Sequence, residues 1–259
     1  MLTQAFAEAL AEAEQIIAGA PHVASEQDLA EGYDYLAGSI QASLRLAWAY
    51  DRDFPYFVTS TGPYAKMGLD NPDALYFHSY LRDDAEYVVT GRRGTTTDLS
   101  FQVLNGDYSP VEVPDSLTAF DDRAFSVAGD GTFELRFGPA RGKHGHDFFT
   151  LGPGSAMLLV REVYSDWATE QRGTISIRRA DRTGWAPPVP DLATIEKRYR
   201  VAGKILLSRL RTFLAFPEWF YLKLPVNTMT EPRRTWRGPR SRSSAGPTPW
   251  CTTRSRYHR

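Results

Sequence analysis

Apolar residues recur at spacings of three and four through the first fifth of the chain. Leu2, Phe6, Leu10, Ala13 and Ile17 form one helical stripe, which Gly19 and Pro21 terminate. A second stripe, Leu29, Tyr33, Leu36, Ile40, Leu44 and Ala47, follows Ser25, and Ser25 to Asp28 has the form of a capping box. From Leu75 onward the period changes to two. Glu86–Thr90, Thr97–Leu104, Ala124–Val127, Thr132–Phe137, Ala156–Val163 and Gly173–Arg178 read as strands rich in Val, Phe, Tyr and Ile. Gly91-Arg92-Arg93-Gly94, Asn105-Gly106-Asp107, Gly129-Asp130-Gly131 and Gly152-Pro153-Gly154 supply the turn chemistry between them. Connections this short favour antiparallel pairing, because parallel neighbours need crossovers of about a dozen residues.

Ala186-Pro187-Pro188-Val189-Pro190 cannot feed a ladder and closes the strand region. Asp191 then caps a third helix with the apolar face Leu192, Ile195, Tyr199, Ala202, Leu206, Leu210 and Phe213, which Pro217 is expected to end. The segment Phe216 to Leu224 is aromatic enough to require cover from other structure. The expected fold is therefore α+β: N-terminal helices, an antiparallel β-sandwich or jelly-roll-like body, a long amphipathic helix and a disordered C-terminal tail. The corresponding segments are a helical portion at 1–50, a β-rich domain at 51–186, helix and aromatic segment at 187–231, and a basic tail at 232–259.

Composition changes this picture mainly at the tail. With 42% hydrophobic residues in 259, the chain has material for a substantial core. Residues 232–259 contain eight arginines, no Asp, Glu or Lys, and no Leu, Ile, Val, Phe or Met. Without them the chain holds 22 basic against 31 acidic residues, a net charge of −9, which repels a phosphate backbone. Two readings of the tail are open: a basic arm that binds nucleic acid or anionic membrane, or coding sequence read out of frame in a GC-rich gene. The change of composition at one point, and eight arginines with no lysine, favour the frame error and hence a truncated protein. Nucleic acid is otherwise not expected as a partner. No stretch reaches the roughly 20 apolar residues of a membrane span, the N-terminus lacks a secretory pattern, and the single cysteine, Cys251, has no partner for a disulfide. A cytoplasmic location is expected.

Five stretches carry a resemblance across about 33–230: DNPDALY from Asp70, GRRGTTTDLSFQVLNGDY from Gly91, DSLTAFDDR from Asp115, GTFELRFGP from Gly131 and LVREVYSDW from Leu159. The chain resembles actinobacterial proteins with the domain of unknown function numbered 1214, related to the one numbered 1254. The resemblance implies β-rich domains with a concave face and an Asn-x-Asp-x-x-Tyr motif at Asn71, Asp73 and Tyr76, but no established activity. It also implies a further β-rich portion after Glu231, where this chain has its arginine tail.

Three clusters carry candidate chemistry. His144-Gly145-His146-Asp147 places two imidazoles on one side of an extended segment, which suits a metal, and is similar to the first half of a cupin motif. It lacks that motif's following glutamate and second-strand histidine, so His144 and His146 read first as parts of an exposed glycine-rich loop and only second as metal ligands. Arg161, Tyr164, Asp166 and Trp167 follow an apolar run and so fall at a strand end, where Arg161 can clamp a carboxylate or phosphate and Trp167 can stack. An ion pair finishing a strand is the structural alternative. Asn71, Asp73 and Tyr76 read as a polar ligand site or as an Asx-Pro-Asp turn. Lys197, Arg198, Arg200, Lys204, Arg209 and Arg211 give the third helix a basic face, suited to a membrane surface or to plain solvation.

No G-x-S-x-G elbow, P-loop or G-x-G-x-x-G fingerprint occurs, and no cofactor is called for. The sequence therefore points first to a small-molecule-binding β-rich module. An enzyme acting on a small organic acid or ester, with Arg161 as anion anchor and a histidine or carboxylate as acid–base, is the alternative. Binding of nucleic acid or membrane through the tail is a third reading, and self-association through exposed sheet edges stays open.

Overall fold

The computed structural model describes residues 1–68, 70–106, 114–139 and 147–220, together with 225 and 227; of residues 218–220 it describes the backbone alone. The arginine tail, the histidine pair at 144 and 146, and most of the aromatic segment lie outside the described residues.

Two helices precede the first strand, as the apolar stripes require. Helix α1 spans Gln4–Ala18 and ends at Gly19; α2 spans Glu26–Trp48. The capping box is present: Ser25 Oγ accepts from Asp28 N at 3.1 Å, and Asp28 Oδ2 accepts from Ser25 N at 2.9 Å, satisfying two end donors of α2. Helix α3 spans Leu192–Phe220, with Thr194 N donating to Asp191 Oδ1 at 2.8 Å. Contrary to expectation, α3 runs through Pro217. A proline so near the last turn forfeits only the helical donor to the Phe213 carbonyl, and its fixed φ is helical.

Among the described residues, eight strands form two four-stranded sheets. The first has the order β1 (Ala74–Tyr80), β7 (Met157–Val163), β3 (Asp98–Leu104), β4 (Ser116–Asp121). The second has the order β6 (Phe148–Thr150), β5 (Thr132–Gly138), β2 (Tyr87–Arg92), β8 (Thr174–Arg179). All pairings are antiparallel except β5 with the three-residue β6, which is parallel and corrects the expectation of a purely antiparallel body. Ala124–Val127 is not a strand. The strand is Ser116–Asp121, after which Asp121 Oδ1 accepts from Arg123 N and starts a 3-10 turn. Gly91 and Arg92 belong to β2 rather than to a turn.

The two sheets face each other across one core. Phe77, Phe101, Val103, Leu158 and Val160 from the first sheet meet Tyr87, Val89, Leu135, Phe137 and Ile177 from the second. Alternate residues of the first sheet point the other way: Tyr76, Tyr80, Met157 and Leu159 pack on Leu46 of α2 and Ile205 of α3. Ala13, Ile17, Leu36, Leu206 and Leu210 hold the helices together. The layers are thus sheet, sheet and helices, with the first sheet buried on both faces.

The two sides of the sandwich are closed differently. At β4 and β6, Phe120 and Phe149 stack with centroids 3.6 Å apart, and Phe120 stacks on Phe101 at 5.3 Å. At β1 and β8 no such aromatic seam forms among the described residues. The chain at 57–60 touches β1 there through a single bridge, with Val58 N donating to the His78 carbonyl at 3.0 Å and His78 N to the Val58 carbonyl at 2.9 Å.

Candidate functional site

The two strand-end clusters chosen from the sequence come together. Tyr76 on β1 is the register partner of Arg161 on β7, and the Arg161 guanidinium lies 5.6 Å from the Tyr76 ring centre. Asn71 N donates to Tyr76 Oη at 2.8 Å, Asp73 N donates to Asn71 Oδ1 at 2.9 Å, and the Trp167 indole N–H donates to Asp73 Oδ1 at 3.0 Å. Trp167 stacks on Tyr164 at 3.8 Å with the planes 6° apart. Residues 94 positions apart, Asp73 and Trp167, thus share one network because β1 and β7 are neighbours.

Their roles differ. Asp166 is a turn cap: its carboxylate accepts from Ala168 N and the Thr169 hydroxyl, both at 2.8 Å, and these bonds hold it below the usual carboxylate range. Asn71 makes the Asx turn that the structural reading describes. Arg161 is half-buried under the helices, where Nη1 donates to Gln102 Oε1 at 2.8 Å.

Behind Arg161 lies His78, almost fully buried, with Nδ1 3.0 Å from the Ser60 hydroxyl. Burial, reinforced by the positive charge of Arg161 and Arg209, pushes its imidazole down to about 3. A histidine held neutral across the physiological range is a poor acid–base catalyst, since catalytic pKa values sit near the working pH. Ser60 is itself buried. The pair is therefore a hydrogen-bonded core contact.

The open side of the sandwich holds a second feature, made of residues not selected from the sequence. A cleft of about 420 Å³ lies between the edges of β1 and β8, lined by Phe57, Val58, Thr59, Phe77 and Ile175, with Arg45 and Arg172. Arg45 comes from the last turn of α2 and donates to the Thr59 carbonyl at 3.2 Å and hydroxyl at 3.3 Å. Arg172 lies 5.2 Å from the Phe77 ring centre. Among the described residues neither arginine has a carboxylate within ion-pair distance, whereas Arg82, Arg93, Arg123, Arg136, Arg179 and Arg211 all do.

The Arg172 loop is pinned from below. Thr95 N donates to the Gln171 carbonyl at 2.9 Å, Gln171 N to Thr95 Oγ1 at 2.8 Å, and Gly173 N to the buried Glu162 at 2.7 Å. Such a fit needs a glycine at 94: an added Cβ would collide with the Gln171 carbonyl oxygen, the Arg172 carbonyl carbon and the Gly173 nitrogen, all backbone atoms. Gly94→Ala is expected to destabilise the protein by about 1–3 kcal/mol by forcing this loop away. Chemical denaturation measures the loss, and an unchanged midpoint would show that the loop is not seated on residues 94–95.

Fold and site together define an α+β protein: a two-sheet body backed by helices, with a cleft at its open side. Comparison with solved structures agrees on the fold. An uncharacterised protein of Burkholderia cenocepacia is similar with a TM-score of 0.73 at 25% identity, over 83% of this chain and 58% of that one. The chain thus spans little more than half the length of that neighbour. The VPA0106 protein of Vibrio parahaemolyticus gives a TM-score of 0.31 at 15% identity over 42% of this chain and 32% of that one, too partial a likeness to use. No family model and no curated protein matches the chain. Among the described residues no helix is long and apolar enough to cross a membrane, and no group of three or more His, Cys, Asp or Glu is placed to hold a metal.

Proposed function

We propose that this chain is a binding module for a small amphipathic organic anion, held in the cleft between β1 and β8. One observation carries the reading: two arginines without carboxylate partners border an open cleft whose lining includes Phe57, Phe77 and Ile175. A guanidinium without a carboxylate partner over an aromatic ring suits an anion, with a hydrophobic seat beside it. The cleft is open to solvent, so it would cover one side of a ligand of modest size rather than enclose it. Family membership with the domain numbered 1214 remains part of this reading. Two of the stretches behind it, from Asp70 and from Leu159, supply the adjacent strands β1 and β7.

Calorimetric titration with octanoate, octyl phosphate and 1-octanol tests the proposal. The two anions are expected to bind and the alcohol to bind at least about tenfold more weakly, a difference of about 1.4 kcal/mol. Arg172→Ala is expected to remove a similar amount while leaving thermal stability nearly unchanged, because the side chain is exposed. Equal affinity for octanoate and octanol, or an Arg172→Ala variant that binds octanoate normally, would refute the anion clamp.

A further inference from the structure

We propose that the outer face of Trp167, with the Asp73 carboxylate and Asn71 amide beside it, is a binding platform for a neutral pyranose sugar. The indole is unusually constrained for a surface side chain. Tyr164, itself buried, covers one face at 3.8 Å and 6°, and Asp73 Oδ1 holds the ring N–H at 3.0 Å. The turn beneath is closed by Asp166 and by Ser165 N donating to Glu170 Oε2 at 2.9 Å. Trp167 is nevertheless 51% exposed, and with Tyr164 on one face the exposed surface is the other face and the rim. A large apolar face held rigid in water presents contact area with little entropy left to lose on binding.

The polar groups beside it define what fits. Only Oδ1 of Asp73 is engaged, by Trp167, and only Oδ1 of Asn71, by Asp73 N; Asp73 Oδ2 and Asn71 Nδ2 have no hydrogen-bond partner among the described residues. An acceptor and a donor thus belong to the same Asx turn, whose Asp73 holds the rim of the indole. A pyranose ring matches all three: its C–H face meets the electron-rich indole face, and neighbouring hydroxyls donate to the carboxylate and accept from the amide. Asp73, Asp166 and Glu170 around the turn oppose an anionic ligand, so this platform and the arginine cleft take different ligands. A cation would use the indole face and the carboxylate but would be opposed by the amide donor. The observations therefore favour the sugar.

The test is a titration of the full chain with maltohexaose, cellohexaose, xylohexaose and chitohexaose, following the indole ¹H–¹⁵N resonance of Trp167. That resonance is assigned by its absence in Trp167→Phe. At least one of these glycans is expected to move the signal saturably. Trp167→Ala is expected to weaken that binding about tenfold or more, Asn71→Asp, which keeps the oxygen that accepts from Asp73 N but removes the amide donor, to weaken it as well, and Trp167→Phe, which keeps a ring on Tyr164, to weaken it less. No shift with any of the four, or a shift with tetramethylammonium alone, would overturn the proposal. The result is separable from the cleft, whose lining does not include Trp167: octanoate binding there is expected to leave this resonance in place.

Discussion

Phe101→Ala is expected to destabilise the protein by about 3–5 kcal/mol, the usual cost of truncating a buried phenylalanine. Phe101 is 1% exposed at the centre of the seam between the sheets. Its ring meets Phe120 at 5.3 Å, Phe125 at 5.7 Å, and Phe133 and Phe137 at 6.5 Å. Those partners come from β4, from the segment after it and from the facing sheet, so the cavity borders groups that cannot all move in together. Since a domain is stable by only about 5–15 kcal/mol, the loss is a large share of the total. Urea denaturation reads it as a lower midpoint at unchanged slope. A loss below about 1 kcal/mol would mean that the two sheets do not share this core.

The second large effect is a dependence on pH. His78 is buried neutral, with its folded pKa pushed from 6.5 to about 3 by burial and the charges of Arg161 and Arg209. Above 6.5 neither the folded nor the unfolded state protonates it, and the contribution is nil. As pH falls below 6.5 the unfolded chain binds a proton that the folded chain refuses, so stability is lost progressively until the folded pKa is reached. At pH 5, some 1.5 units below the unfolded value, the loss is about 2 kcal/mol. Comparing unfolding free energies at pH 8 and pH 5 for the natural protein and for His78→Gln isolates this residue from the other titrating groups. The variant is expected to lose about 2 kcal/mol less over that interval. Identical pH dependence in both would show that His78 is not held neutral in the core.

What could be read from the sequence follows from burial. Helices α1, α2 and the start of α3 were legible because each buries one face, leaving a stripe at helical spacing with recognisable caps at Ser25 and Asp191. Strand β1 falls where the period-two region is taken to open, at Leu75, but does not stand out as a strand of its own. It is covered by the second sheet on one side and by helices on the other, so Tyr76, Phe77, His78, Ser79 and Tyr80 are all buried and show no alternation. β4 was displaced in the reading because Phe125, which resembles a strand residue, enters the core from an unpaired segment after the 3-10 turn.

The candidate sites divide in the same way. Asp73 and Trp167 could be chosen as single residues from their neighbours in sequence, but their hydrogen bond depends on β1 lying beside β7. The cleft was invisible. Arg45 looks like a solvated helix residue and Arg172 like a loop residue, and no local pattern joins them to Phe57 and Phe77. Arg161 was chosen as an anion anchor, yet its neighbours under the helices, Gln102 and Tyr76, are set by strand register rather than by anything adjacent in sequence.

The most direct test of the central claim is where an amphipathic anion binds, read by backbone-amide chemical shifts as octanoate is added to the full chain. Saturable changes are expected at Arg45, Val58, Thr59, Phe77, Arg172 and Ile175, with the saturation curve displaced to at least about tenfold higher concentration in Arg172→Ala and with 1-octanol. Changes centred elsewhere would contradict a binding site between β1 and β8, and equal affinity for octanol at these residues would contradict its anion clamp.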